Sequence, residues 1–312
     1  MNFVNKIYLL FLMPLLFPIT AFAWDYTGHV VIAQIAYNNL TPVAKQNADI
    51  LANIIYNSLP EYQKNKIDNY YNNASTFAKI AELPDVWRKD NLGTIFSNNG
   101  AIPPLSLLFY SDVPTRGLHF IDEPYPASSQ CDNIKPFNVV WTINKLKSSL
   151  KITQNPNTQA VEMVLEEHYI GDIHQPLHTI SRIDNSCTND GGGNEFCVKW
   201  NSSQGHCSKS LHQLWDSAVG YLKSRENVQS IAYELEQIYP ESEFNNELKD
   251  DNPSDWAKAN YQYADFIYSL QEGQGVTPEY YQEGQGIAKK QLALAGYRLA
   301  KVINSQFANS NN

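Results

Sequence analysis

Apolar residues recur at helical spacing along most of the chain. Thr41-Pro42 reads as an N-cap followed by a first helical residue, after which Val43, Ala44, Ala48, Leu51, Ile54 and Ile55 repeat at that spacing. The same period returns at 138–152, 159–175, 210–223, 226–239, 254–270 and 287–306. The pattern predicts an all-α fold, mostly helical, joined by long loops. Two stretches, 90–137 and 181–209, carry no period and hold most of the Pro, Gly, Asn and Cys. Loops of that length are functional or tied down by cross-links. The pentapeptide Gln-Glu-Gly-Gln-Gly occurs at 271–275 and again at 282–286. One short duplication does not make a repeat protein.

The first 23 residues follow a different pattern. Lys6 precedes an apolar run from Ile7 to Phe17, and Ala21-Phe22-Ala23 closes it as a small-residue cleavage site. This predicts a removed signal peptide over 1–23, too short to span a bilayer, and an exported mature chain over 24–312 beginning at Trp24. No Ser/Gly/Pro-rich linker divides 24–312, so it is taken as one domain. Nothing in it calls for a membrane span after cleavage or for an obligate protein partner.

Charge and cysteines narrow the picture. Removing Lys6 with the signal takes the formal charge from −9 to −10, which argues against a broad basic surface for gripping duplex nucleic acid. An anionic substrate would need a local positive centre. Four cysteines (Cys131, Cys187, Cys197, Cys207) in an exported chain predict up to two disulfides, with all three pairings open. No C-x-x-C pair favours a cysteine zinc site. Asn73-Ala74-Ser75 and Asn201-Ser202-Ser203 are candidate glycosylation acceptors in a eukaryotic source.

Candidate chemistry lies in short blocks that join histidines to aspartates or to the new terminus: Trp24/His29, Asp85, His119, His168/Asp172/His178 and His212/Asp216. Cleavage before Trp24 would create an α-amine beside its own carbonyl oxygen, a chelating pair with His29 nearby. His168 and Asp172 are four apart on a predicted helix, as are His212 and Asp216, so each pair projects from one face. Pro176 should end or kink the first helix and send His178 toward a different ion. Imidazole nitrogen with carboxylate oxygen is a set that zinc accepts, and these ligands suit three open sites if one carboxylate bridges. One H-x-x-x-D alone would more often be an ordinary helix face; their joint occurrence is what carries weight. His174 points to another face and reads as packing or support for the ligands, and His206 reads as solvent-facing.

His168-Tyr-Ile-Gly-Asp-Ile-His-Gln-Pro-Leu-His178, with Trp24 and Leu211-His-Gln-Leu-Trp-Asp216, resembles the S1/P1 nucleases. Asp85-Val-Trp-Arg88, His119-Phe-Ile-Asp122, Gly192-Gly-Asn194 and the closing 291–300 segment extend the resemblance across 24–312. It implies a fold of the phospholipase C/P1 nuclease type and three zinc ions. One would take Asp85, His119, His168 and Asp172; the second, the Trp24 amine and carbonyl, His29 and Asp172; the third, His178, His212 and Asp216. Arg88 would hold a phosphate oxygen, Phe120 would stack on a base, Asp122 would accept from its edge, and Asn194 would touch substrate. The implied activity is hydrolysis of single-stranded RNA and DNA to 5'-phosphates, and of 3'-nucleotides. Leu83-Pro84 departs from the Trp-Ala common in the family just before Asp85.

Two rival readings differ in class. Zinc-dependent phospholipase C shares the N-terminal tryptophan and the H-x-x-x-D-x-x-x-x-x-H block, but ends its ligand set with glutamate where this chain has Asp216. A non-catalytic adhesin or zinc-sequestering protein would use the cluster for stability alone, and would fill every coordination position with protein.

Overall fold

The computed structural model describes residues 24–127, 130–131, 134–200, 207, 209–223 and 227–308. The leader 1–23, His206 and the Asn201 acceptor lie outside the described residues. Helices dominate the fold, as the apolar period predicted. None among the described residues is long and apolar enough to cross a membrane.

The helix Tyr26–Asn38 runs through the centre. Asp25 caps it by accepting the Gly28 amide at 3.0 Å, and every residue from Gly28 to Ala36 is buried. A helix buried all round needs partners on every side, and it packs against Thr76–Ile80, Pro156–Asp172, Val228–Ile238 and the C-terminal helix Pro278–Phe307. Gly296 of that last helix permits the close approach: a Cβ there would sit 2.5 Å from Ile35 Cγ2. Thr41 caps Pro42–Ser58 through the Ala44 amide, as its sequence indicated.

The helix Pro156–Asp172 is the other buried axis, lying against Pro42–Ser58, Val139–Ser149 and Pro278–Phe307. It begins three residues before the predicted 159 because Asn155 accepts the Thr158 amide and Pro156 fits the first turn. It ends at Asp172, before Pro176 is reached. The predicted 254–270 helix is instead broken into Pro253–Ala259, a 3-10 turn Asn260–Tyr263 and Ala264–Ile267. The break lets buried Asn260 donate to the Ile173 carbonyl and to Thr179 Oγ1. The predicted 210–223 helix stops at Asp216, whose carbonyl accepts the Asp25 amide, outside the helix; Ala218 and Val219 then turn left-handed.

The two aperiodic stretches are fastened to each other. Short helices Leu92–Asn98 and Leu105–Leu108 and a 3-10 turn Thr115–His119 interrupt the first. Glu123–Tyr125 pairs parallel with Ile180–Arg182, and Cys197–Val198 pairs antiparallel with Lys209–Ser210. Of the three open pairings the structure takes Cys131–Cys187, which ties one stretch to the other, and Cys197–Cys207, which closes a loop within the second.

Candidate metal centre

His168 and Asp172 stand one turn apart at the end of their buried helix. Beyond it, Gln175 accepts the Leu177 amide at 2.7 Å and a 3-10 turn Pro176–His178 reverses the chain. That turn carries His178 beside the segment that precedes the strand Glu123–Tyr125, where the Ile121 amide donates to the His178 carbonyl at 2.7 Å. The central helix supplies His29, whose ring stacks on His168 at 3.7 Å and 13°. Gly171 makes room for it, since a Cβ there would lie 2.9 Å from His29 Nδ1. Trp24 is pinned next to the cluster: its indole donates to the Gly171 carbonyl at 3.0 Å, while Asp25 N reaches Asp216 O at 2.8 Å.

The side chains gather into three groups: His29/His168/Asp172, Asp85/His119/His168 and His178/His212/Asp216. Within each group the candidate ligand atoms lie within 4.8 Å of one another. Asp172 stands between the groups. Its Oδ2 is 2.9 Å from His119 Nδ1 and 3.3 Å from His168 Nε2, whereas Oδ1 is 3.4 Å from His29 Nε2 and 3.7 Å from His178 Nδ1. In the third group, Asp216 Oδ1 is 3.5 Å from His212 Nε2 and 4.0 Å from His178 Nε2, and it also accepts from Gln175 Nε2.

Backbone carbonyls fix three tautomers. Ala81, His119 and Gly192 accept from Nδ1 of His168, His178 and His212, so each Nδ1 carries the proton and each Nε2 keeps its lone pair. Burial then leaves polar atoms without partners: both ring nitrogens of His29, both oxygens of Asp85, Asp172 Oδ1, His119 Nε2 and His178 Nε2. Desolvation pushes His29 down to about 3 and holds His119, His168 and His178 well below the ordinary imidazole value. The same burial raises Asp85, Asp172 and Asp216 far above ordinary carboxylates. Neutral imidazole nitrogens converging on carboxyl oxygens form donor sets that divalent cations would satisfy together. The nitrogen and oxygen donors fit zinc.

A cavity of about 210 Å³ opens beside the third group, lined by Arg88, Arg116, Phe120, Asp122, Leu177, His178, Gly191, Asn194 and His212. Arg88 lies one turn from Asp85, with Nη1 3.6 Å from its Oδ1. Pro84, the departure from the family pattern, sits in the first turn of Leu83–Val86, where no amide donor is needed, and Asp85 is still buried. Phe120 follows His119 directly, leaving the 3-10 turn in extended backbone, and lines the cavity. Asp122 accepts from Ser181 Oγ at 3.1 Å, and burial raises its carboxyl above the ordinary range. Gly192 has a positive φ of 63°, and a Cβ there would fall 2.2 Å from the Leu177 carbonyl, so only glycine fits. Asn194 donates to the Gly191 carbonyl at 2.7 Å.

His174 stays outside all three groups, donating from Nδ1 to Ile170 and meeting Arg298 through Nε2. Two residues of the site were not foreseen, Gln175 and Arg116. Gln175 lies inside the histidine block and could have been noticed as the cap before Pro176. Arg116 falls in an aperiodic stretch, where no spacing marks it.

A family model described as S1/P1 nuclease matches residues 24–308. Endonuclease 1 of Arabidopsis thaliana is 24% identical over 92% of this chain and 88% of its own length. Endonuclease 5 of the same plant is 28% identical over 62% of this chain and 72% of its own length.

Proposed function

The chain belongs to the S1/P1 nuclease family, hydrolases of phosphodiester bonds, and on that premise we propose that it is an exported zinc enzyme for single-stranded RNA, DNA and 3'-nucleotides. The observation that carries the reading is the three groups of buried histidines and aspartates around Asp172, in which His29, Asp85, His119, Asp172 and His178 keep side-chain atoms without hydrogen-bond partners, next to a cavity holding Arg88 and Phe120.

In this reading Asp85, His119, His168 and Asp172 hold one zinc, and His178, His212 and Asp216 hold another. A third lies with His29, Asp172 and the Trp24 amine and carbonyl, which removal of residues 1–23 would free. Bound zinc supplies a nucleophile at neutral pH and stabilises the departing oxygen. The protein does the rest. Arg88 donates to a non-bridging phosphate oxygen through its guanidinium fork and stabilises the charge that builds there. Phe120 stacks on a base, which must be unpaired to reach it, and this favours single strands. Asp122 accepts from the base edge, and Asn194 closes the cavity on the Gly-rich turn.

The test uses the processed chain beginning at Trp24, loaded with zinc and offered single-stranded DNA, thymidine 3'-phosphate and phosphatidylcholine, with and without EDTA. Chelator-sensitive release of 5'-phosphate-ended products supports the reading. Preferential hydrolysis of phosphatidylcholine would make this a phospholipase, and metal binding without turnover would make the cluster structural.

A further inference from the structure

Arg116 is unlike the other described arginines. Arg88 faces Asp85, Arg182 pairs with Glu272 at 3.4 Å and covers the Phe196 ring, and Arg298 meets His174. Among the described residues Arg116 has no hydrogen-bond or ion-pair partner, yet it lines the same cavity as Phe120 and Asp122. Its position follows from the 3-10 turn Thr115–His119, which ends on a candidate ligand and leads into the extended Phe120. In a chain with 32 acidic and 23 basic residues, an uncommitted guanidinium at the catalytic cavity is a conspicuous cation.

The guanidinium offers a planar fork of donors suited to phosphate. Arg88 is the cation nearest the metal groups, so the scissile phosphate falls to it. Arg116 is exposed, and lies on the segment that carries the base platform Phe120. We propose that Arg116 binds the phosphate next to the scissile one, and so sets the preference for a polynucleotide over a 3'-mononucleotide, which has no second phosphate. This rests on the nuclease reading and adds a specificity residue to it.

The experiment compares zinc-loaded wild type, Arg116→Ala and Arg116→Lys on single-stranded oligothymidylate and on thymidine 3'-phosphate. For Arg116→Ala, the kcat/KM preference for the oligonucleotide should fall about tenfold, with the loss in KM, as expected for one charge-assisted phosphate contact. Its oligonucleotide binding should also lose about 0.7 from the slope of log affinity against log salt, the signature of one phosphate contact on a single strand. Arg116→Lys keeps the charge, so it should retain the slope and recover part of the preference. An unchanged preference, or equal losses on both substrates, overturns the proposal. Wild type that cleaves neither substrate would sink the nuclease reading itself, a separable outcome.

Discussion

His168 and His174 lie six residues apart in one block, both buried, yet their surroundings differ in kind. Around His174 both ring nitrogens find partners within the protein: Ile170 takes Nδ1, Arg298 meets Nε2, and Arg298 also donates to the Glu247 carbonyl and covers Trp256, leaving only its Nε without a hydrogen bond. Around His168, Asp85 and His29 have no hydrogen-bond partner and Asp172 leaves one oxygen bare. Burying polar groups is costly unless they are satisfied, so the first cluster reads as structure and the second as a place prepared for ions. The contrast shows that burial and residue type do not identify a metal centre. The convergence of several unmet nitrogen and oxygen atoms on one place marks a candidate.

The strongest way to break the contrast is Asp172→Asn, which keeps the shape and removes the charge between the groups. Activity on single-stranded DNA should fall about a thousandfold or more, with metal content reduced by mass spectrometry of the native protein. Near-normal turnover would remove Asp172 from its bridging place. Next in size is one extra residue ahead of Trp24. Loss of about one zinc per chain and a 10- to 100-fold drop in rate are expected; unchanged values would exclude chelation by the terminal amine. On the other side of the contrast, His174→Ala leaves Arg298 buried beside a void. It should cost roughly 2 kcal/mol, read as a Tm lower by about 5 °C, while zinc content stays at the wild-type value. Lost zinc in that variant would erase the distinction between the clusters.

The smallest effect belongs to Glu162, buried on the same helix six residues before His168. Burial pushes its carboxyl up to about 7, above the 4.5 of an exposed glutamate. A raised acid is protonated in the fold, so it costs nothing below pH 4.5, and stability is lost as pH rises from there through 7. Glu162→Gln should therefore raise Tm by roughly 3 °C at pH 8 and leave it unchanged at pH 4. Equal shifts at both pH values would show that packing, not ionisation, is responsible.

Much of this was legible in the sequence because helical spacing is itself geometry. His168/Asp172 and His212/Asp216 could be placed on common faces from their four-residue separation, and the structure brings each pair into one group. What stayed hidden depended on contacts distant in sequence. Gln-Glu-Gly-Gln-Gly at 271–275 forms a turn with Gly273 at a φ of 78°, whereas the identical 282–286 lies inside the C-terminal helix. The difference comes from Thr277-Pro278, which caps that helix just upstream of the second copy. The Asn260 break and the early stop at Asp216 were invisible for the same reason: each is fixed by a partner in another segment. Arg116 shows the limit most clearly, since nothing in its neighbours along the chain distinguishes it from a surface arginine.

One carboxylate rotamer at Asp172 has to suit neighbours on both sides. If two ions share Asp172, the first to fix that rotamer aligns the acceptor for the second, and less reorganisation is left to the second loading step. The protein should fill as a unit when titrated with metal, along a curve steeper than independent sites would give, and partly loaded chains should be scarce.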